Sequence, residues 1–115
     1  MKLVAQQQKF SLYVANLIKY IYEQGYSCTF GDAFRSSEQA AIYAFAGVGI
    51  KNSLHCKRLA IDLNIFNSDC CYLTKREDYE RFGTYWESLD PLCRWGGNFK
   101  NGDANHFELQ ESNEK

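Results

Sequence analysis

The sequence predicts an α+β fold, a small antiparallel sheet with helices packed on one side. Two kinds of pattern lead there. Long segments repeat apolar residues at three- and four-residue steps, as helices do, while short segments alternate them, as half-buried strands do. Breaks rich in Gly, Pro, Asn and Asp separate the two kinds. At 115 residues the chain is expected to form a single domain over 1–115, with a core that needs no disulfide staples.

The first helix is expected over residues 6–24, where Phe10, Tyr13, Val14, Leu17, Ile18, Ile21 and Tyr22 form a wide apolar stripe and Gly25 stops it. Tyr26 to Phe34 reads as a strand in which Tyr26, Cys28 and Phe30 alternate with Ser27 and Thr29, Gly31 marking a bulge or a close backbone approach. Arg35 leaves that strand, and Ser36 or Ser37 caps a helix running through Gln39 to Phe45. A flexible loop follows from Gly47 to Asn52. Leu59 to Phe66 suits a second strand: Leu59, Ile61, Leu63 and Ile65 point one way, so Asp62 looks the other way, into a cleft. After a turn at Asn67–Asp69, Thr74 and Glu77 form a capping box that opens a helix running through Phe82, Tyr85, Trp86 and Leu89, broken by Asp90-Pro91. Leu92 to Phe99 holds Trp95 beside Gly96 and Gly97, an aromatic placed to form a cleft wall. Asn101-Gly102-Asp103 is a tight turn. His106 to Gln110 forms the last strand, with Phe107 and Leu109 inward and His106 and Glu108 together on the other face. The sheet is thus expected from segments near 26–34, 58–66, 93–99 and 105–110.

Composition removes several function classes. A net charge of -1 gives no field to attract nucleic acid or an anionic membrane. The five cysteines are odd in number and lack any CxxC pair, so they suggest free thiols in a reducing compartment rather than a disulfide framework or thiolate zinc knuckle. The N-terminal apolar run breaks after a few residues, so neither a signal peptide nor a membrane insertion is expected. Synthesis in the cytoplasm follows, with export depending on another protein.

Chemistry concentrates around the only two histidines, in Ser53-Leu54-His55 to Asp62 and in Asp103-Ala104-Asn105-His106-Phe107-Glu108. Two imidazoles and one carboxylate, from His55, His106 and Asp62, make a ligand set for a catalytic metal that leaves a position open. The donors suit Zn2+, although other divalent ions, including the iron of some oxygenases, accept the same set. Asp103 is then a spare carboxylate three residues before His106. Arg35, at a strand end, offers a guanidinium fork for carboxylates or oxyanions.

The arrangement Ser53-x-His55-x-x-x-x-Ala60-x-Asp62, then Trp95-Gly96-Gly97, then Asp103-x-x-His106-Phe107-Glu108, resembles a family of zinc peptidases acting on bacterial peptidoglycan. The family includes D-alanyl-D-alanine dipeptidases and carboxypeptidases and the L-alanyl-D-glutamate endopeptidases, many of them phage endolysins. Phe34-Arg35-Ser36 resembles the family's arginine strand. The resemblance implies a zinc D,D-peptidase-like fold and zinc on His55, Asp62 and His106. Asp103 would be general base and acid, and Arg35 would stabilise the oxyanion or a substrate carboxylate. Ser53 would orient the substrate or His55, Trp95 would contact substrate, and Glu108 would support a ligand from behind. Arg58 stands where the family commonly has Gly, and Asp103 where many of its carboxypeptidases have Glu. The second departure favours the endopeptidase branch. The expectation is a monomeric peptidase of peptidoglycan stem peptides, most directly an L-alanyl-D-glutamate endopeptidase serving as a phage or prophage endolysin and reaching the wall after holin-type release. The rivals are D-alanyl-D-alanine carboxypeptidase activity and an inactive wall-binding or phage-particle domain.

Overall fold

The computed structural model describes residues 2–47 and 53–112, so most of the loop expected over 47–52 lies outside the described residues. The elements run α1 (Leu3–Glu23), β1 (Ser27–Phe30), α2 (Ser37–Phe45), a 3-10 turn (Leu54–Lys57), β2 (Ala60–Phe66), α3 (Arg76–Leu89), β3 (Cys93–Trp95), a second 3-10 turn (Gly96–Asn98) and β4 (His106–Leu109). The four strands form one antiparallel sheet in the order β1-β2-β4-β3.

One face of the sheet carries the core. Leu59, Ile61, Leu63 and Ile65 from β2 and its lead-in, with Phe107 and Leu109 from β4, meet Phe10, Val14, Leu17 and Ile21 of α1 and Tyr79, Phe82 and Trp86 of α3. Period two on the strands and period 3.6 on the helices therefore point at the same layer, and burying these side chains is the main stabilising term. All five cysteines are unpaired. No helix among the described residues is long and apolar enough to cross a membrane.

Helix α1 starts at Leu3, three residues earlier than its stripe indicated, because Gln6 is buried where its side chain bonds the Ser112 backbone through both ends of its amide, at 3.2 and 2.8 Å. It ends where expected. Gly25, at φ +86°, donates to the Tyr22 carbonyl and Tyr26 to that of Ile21, the paired bonds of a Schellman termination.

Three elements are shorter or later than the sequence pattern suggested. Strand β1 covers only Ser27–Phe30, and Phe30, placed inward by the alternation, is 68% exposed at the sheet edge. Gly31 makes the close approach: its N–H meets the Asp62 carbonyl at 2.8 Å, and a Cβ there would stand 3.0 Å from that of Asp62. The Thr74–Glu77 capping box does not form. Leu73 stays extended beside β2, its N–H on the Ile65 carbonyl and its own carbonyl taking the Tyr79 hydroxyl, so α3 begins at Arg76 with Lys75 as an N-cap that makes no side-chain bond. Strand β3 stops at Trp95, where Gly96–Asn98 curl into the 3-10 turn.

Candidate metal centre

His55 is held by its own short turn. Ser53 caps that turn, its hydroxyl oxygen accepting from the His55 N–H at 3.1 Å, and Arg58 closes it in the left-handed region at φ 56°. The ring Nδ1 lies 3.0 Å from the Ala33 carbonyl, which can only accept, so Nδ1 carries a hydrogen, and Nε2 lies 3.4 Å from Asp62 Oδ1.

Asp62 and His106 face each other across the β2–β4 pairing. His106 Nδ1 lies 3.2 Å from Asp62 Oδ1, and its Nε2 lies 2.7 Å from Glu108 Oε1. The two imidazoles stand edge to face with centroids 5.0 Å apart. One donor atom from each of His55, Asp62 and His106 falls within 4.8 Å of the others. Both histidines are buried, so they are shielded from competing water.

The three groups are electrostatically matched to one another. Burial opposes charge on His106, but hydrogen bonds to Asp62 and Glu108 outweigh it and bring its pKa up to about 9. Burial likewise opposes charge on Asp62, yet the two imidazoles hold it at about 2. The Asp62 and Glu108 carboxylates thus favour positive charge at this point of the cleft. Nitrogen and carboxylate donors converging in a partly buried pocket fit a zinc ion.

Asp103 comes to the same cleft. Its half-exposed carboxylate lies 3.8 Å from His106 Nδ1, and partial burial raises its pKa. Gly96 sets that approach, with the Asp103 N–H on the Gly96 carbonyl at 2.8 Å and no room for a Cβ. Arg35 lines the cleft too, its guanidinium fixed by Asp32 at 2.8 Å and lying over the Tyr43 ring, while its backbone N–H bonds the His55 carbonyl. The cleft encloses about 770 Å³, room for a short peptide segment.

Trp95 is a correction. It is 1% exposed, its indole lies so close to Gly83 and Gly97 that neither could carry a Cβ, and its Nε1 donates to the Ala104 carbonyl at 2.6 Å. It supports the floor beneath the Asp103–His106 turn and forms no cleft wall. Ser53, 5% exposed, serves the His55 backbone. Sequence reasoning missed Asp32, Phe99 and Arg94, although the alternation of buried Cys93 and Trp95 already placed Arg94 on the outer face.

The family model described as D-alanyl-D-alanine carboxypeptidase matches residues 46–109, more than half of the chain. The chain belongs to this family. It is a peptidase directed at peptidoglycan, and the matched span contains His55, Asp62, Asp103 and His106 but not Arg35. Among solved structures, the L-Ala D-Glu endopeptidase ChiX of Serratia marcescens matches with a TM-score of 0.63 at 19% identity, covering 73% of this chain and 67% of that one. The D,D-pentapeptidase VanY of a VanB-type vancomycin resistance cassette, solved as a mutant with Zn(II), matches with a TM-score of 0.55 at 18% identity, covering 90% and 71%. Both likenesses show the zinc D,D-peptidase-like fold. No curated protein sequence matches the chain.

Proposed function

We propose that His55, Asp62 and His106 hold a zinc ion and that the chain hydrolyses the L-alanyl-D-glutamate bond of peptidoglycan stem peptides, as an endolysin of a phage or prophage. The observation carrying this reading is the convergence of three donors whose hydrogen-bond partners aim their free atoms at one point, with Asp103 beside them but outside the triad. When bound, zinc would acidify a water and polarise the scissile carbonyl. Asp103, reaching the cleft from a turn, takes the proton of the attacking water at a carboxylate oxygen and delivers it to the leaving amine nitrogen. Arg35, pre-positioned by Asp32, donates to the carbonyl oxygen as negative charge develops there. Ser53 keeps His55 in register.

Asp rather than Glu at position 103 supports the endopeptidase specificity, as does the likeness to ChiX. The family description favours D-alanyl-D-alanine carboxypeptidase activity as the second reading. Mass spectrometry of peptidoglycan digested by the purified protein separates them. New N-terminal D-glutamate is expected, whereas released terminal D-alanine would assign the carboxypeptidase reaction. Intact walls under zinc-replete conditions would leave a wall-binding domain. As an endolysin, the protein would reach the wall through a pore made by another protein.

A further inference from the structure

Arg94 lies on the cleft side of β3, directly opposite Glu108 on β4. Its Nε donates to Glu108 Oε2 at 2.9 Å and its Nη2 donates to the same oxygen. The other carboxylate oxygen, Oε1, is the one that meets His106 Nε2. Glu108 is only 6% exposed, whereas nearly half of the Arg94 side chain reaches solvent. A buried carboxylate without a partner is costly and free to turn; here each oxygen has its own. Arg94 also lies 5.8 Å from the centre of the Phe99 ring, which packs against the His106 imidazole at 5.7 Å.

We infer that Arg94 is a positioning residue for the metal centre: it fixes the Glu108 carboxylate, which holds the Nε2–H of His106 so that Nδ1 is presented to the ion. The inference rests on the zinc reading above and adds a third link behind its ligand. The link is built into the sheet, because the β3–β4 register that pairs Arg94 with Glu108 continues into the β2–β4 register that pairs His106 with Asp62. Partners of this kind orient a ligand ring and raise its affinity for the ion, typically by 10- to 100-fold.

Zinc affinity, measured on the full chain by competition with a chromophoric chelator, tests the link. Glu108→Ala should weaken binding by about 10- to 100-fold and Arg94→Ala by about 10-fold, the low end of that range. Arg94→Lys, which keeps the charge but not the fork, should fall between Arg94→Ala and wild type. If Arg94 acts through Glu108, the double variant should bind no more weakly than Glu108→Ala alone. Glu108→Gln, which can still accept from Nε2–H, replaces Glu108→Ala should the latter not fold, and the melting temperature of each metal-free variant reports folding separately. A wild type that binds zinc alongside an Arg94→Ala variant of equal affinity overturns this inference alone. So does an Arg94→Ala variant that only raises KM, since that would make Arg94 a substrate contact. A wild type that binds no zinc overturns the reading of the site together with it.

Discussion

Gly96→Ala is a one-carbon change whose effect should fall on the site rather than on the backbone. Gly96 does not have positive φ, so alanine is conformationally allowed there and should even stabilise slightly through the unfolded chain. The obstacle is space. An added Cβ would stand 2.2 Å from the Asp103 carbonyl oxygen and 2.8 Å from the His106 Cβ. The first contact is about 0.8 Å inside the 3.0 Å that Cβ atoms tolerate, and its partner is backbone, which cannot rotate away as a long side chain would. The turn carrying Asp103 and His106 must therefore move by close to 1 Å, or β3 must separate from it. Overpacking of this kind costs about 1–3 kcal/mol, and a displacement of about 1 Å at reacting groups can cost about 100-fold in rate. Urea denaturation, zinc titration and turnover should be compared with Gly97→Ala, whose added Cβ would strike the Trp95 ring. Both variants should lose stability, but Gly96→Ala should lose more zinc affinity and turnover per unit of stability lost. Wild-type zinc affinity and turnover in Gly96→Ala would refute the idea that this glycine sets the distance between Asp103 and the ligands.

Asp103→Asn keeps the size of the side chain but cannot accept a proton, so metal content should stay near wild type while turnover falls by about 10²–10⁴-fold; loss of the ion instead would make Asp103 a ligand. Arg35→Lys should fold, since the ammonium can still reach Asp32, but should lose much of its turnover because the planar fork is gone; an unchanged rate would return Arg35 to a structural role. In the metal-free protein the His106 pKa is raised to about 9 from an unfolded value near 6.5, so its contribution to stability is full below about pH 6.5 and is lost as pH rises through about 9. The urea midpoint of that form should drop between pH 7 and pH 10, more than in His106→Asn, and equal drops would refute the charged triad. For the same reason, calorimetry in buffers of different ionisation enthalpy should show protons released when zinc binds at pH 7.

Much of the architecture was legible because its signals are local. The stripe Phe10, Val14, Leu17, Ile21 and the alternation Leu59, Ile61, Leu63, Ile65 each name a buried face, and both faces reached the core. Gly25 announced its helix end for the same reason. What failed depended on partners distant in sequence. The Thr74–Glu77 box was outcompeted by the pairing of Leu73 with Ile65, and Phe30 lost its inward place at a sheet edge that no strand period reveals. The site was legible as a set of residue types, since His55, Asp62, Asp103 and His106 stand out by chemistry in a chain with two histidines. Its supports were less so. That Trp95 is a floor rather than a wall depends on Gly83, a helix-interior glycine twelve residues earlier whose only visible purpose is to admit the indole. Glu108 was expected behind His106 from its place on the same strand face, but its tie to Arg94 depends on the β3–β4 register, which no local pattern reveals.

Arg58, which stands where the resemblance led one to expect Gly, closes the turn that carries His55 in the left-handed conformation. The turn that carries His55 ends with the Arg58 N–H on the His55 carbonyl and the Leu59 N–H on that of Leu54, which requires a left-handed residue at 58. Glycine would meet that requirement without strain. Arginine adopts the same conformation, φ 56° and ψ 38°, at a cost of about 1–2 kcal/mol. Against that cost stands its guanidinium, 4.1 Å from the centre of the Phe34 ring, a contact worth about 0.5–1 kcal/mol at an exposed site. The contact offsets part of the strain, so arginine holds the left-handed turn that carries His55. The backbone conformation at position 58 is what closes the turn that carries His55.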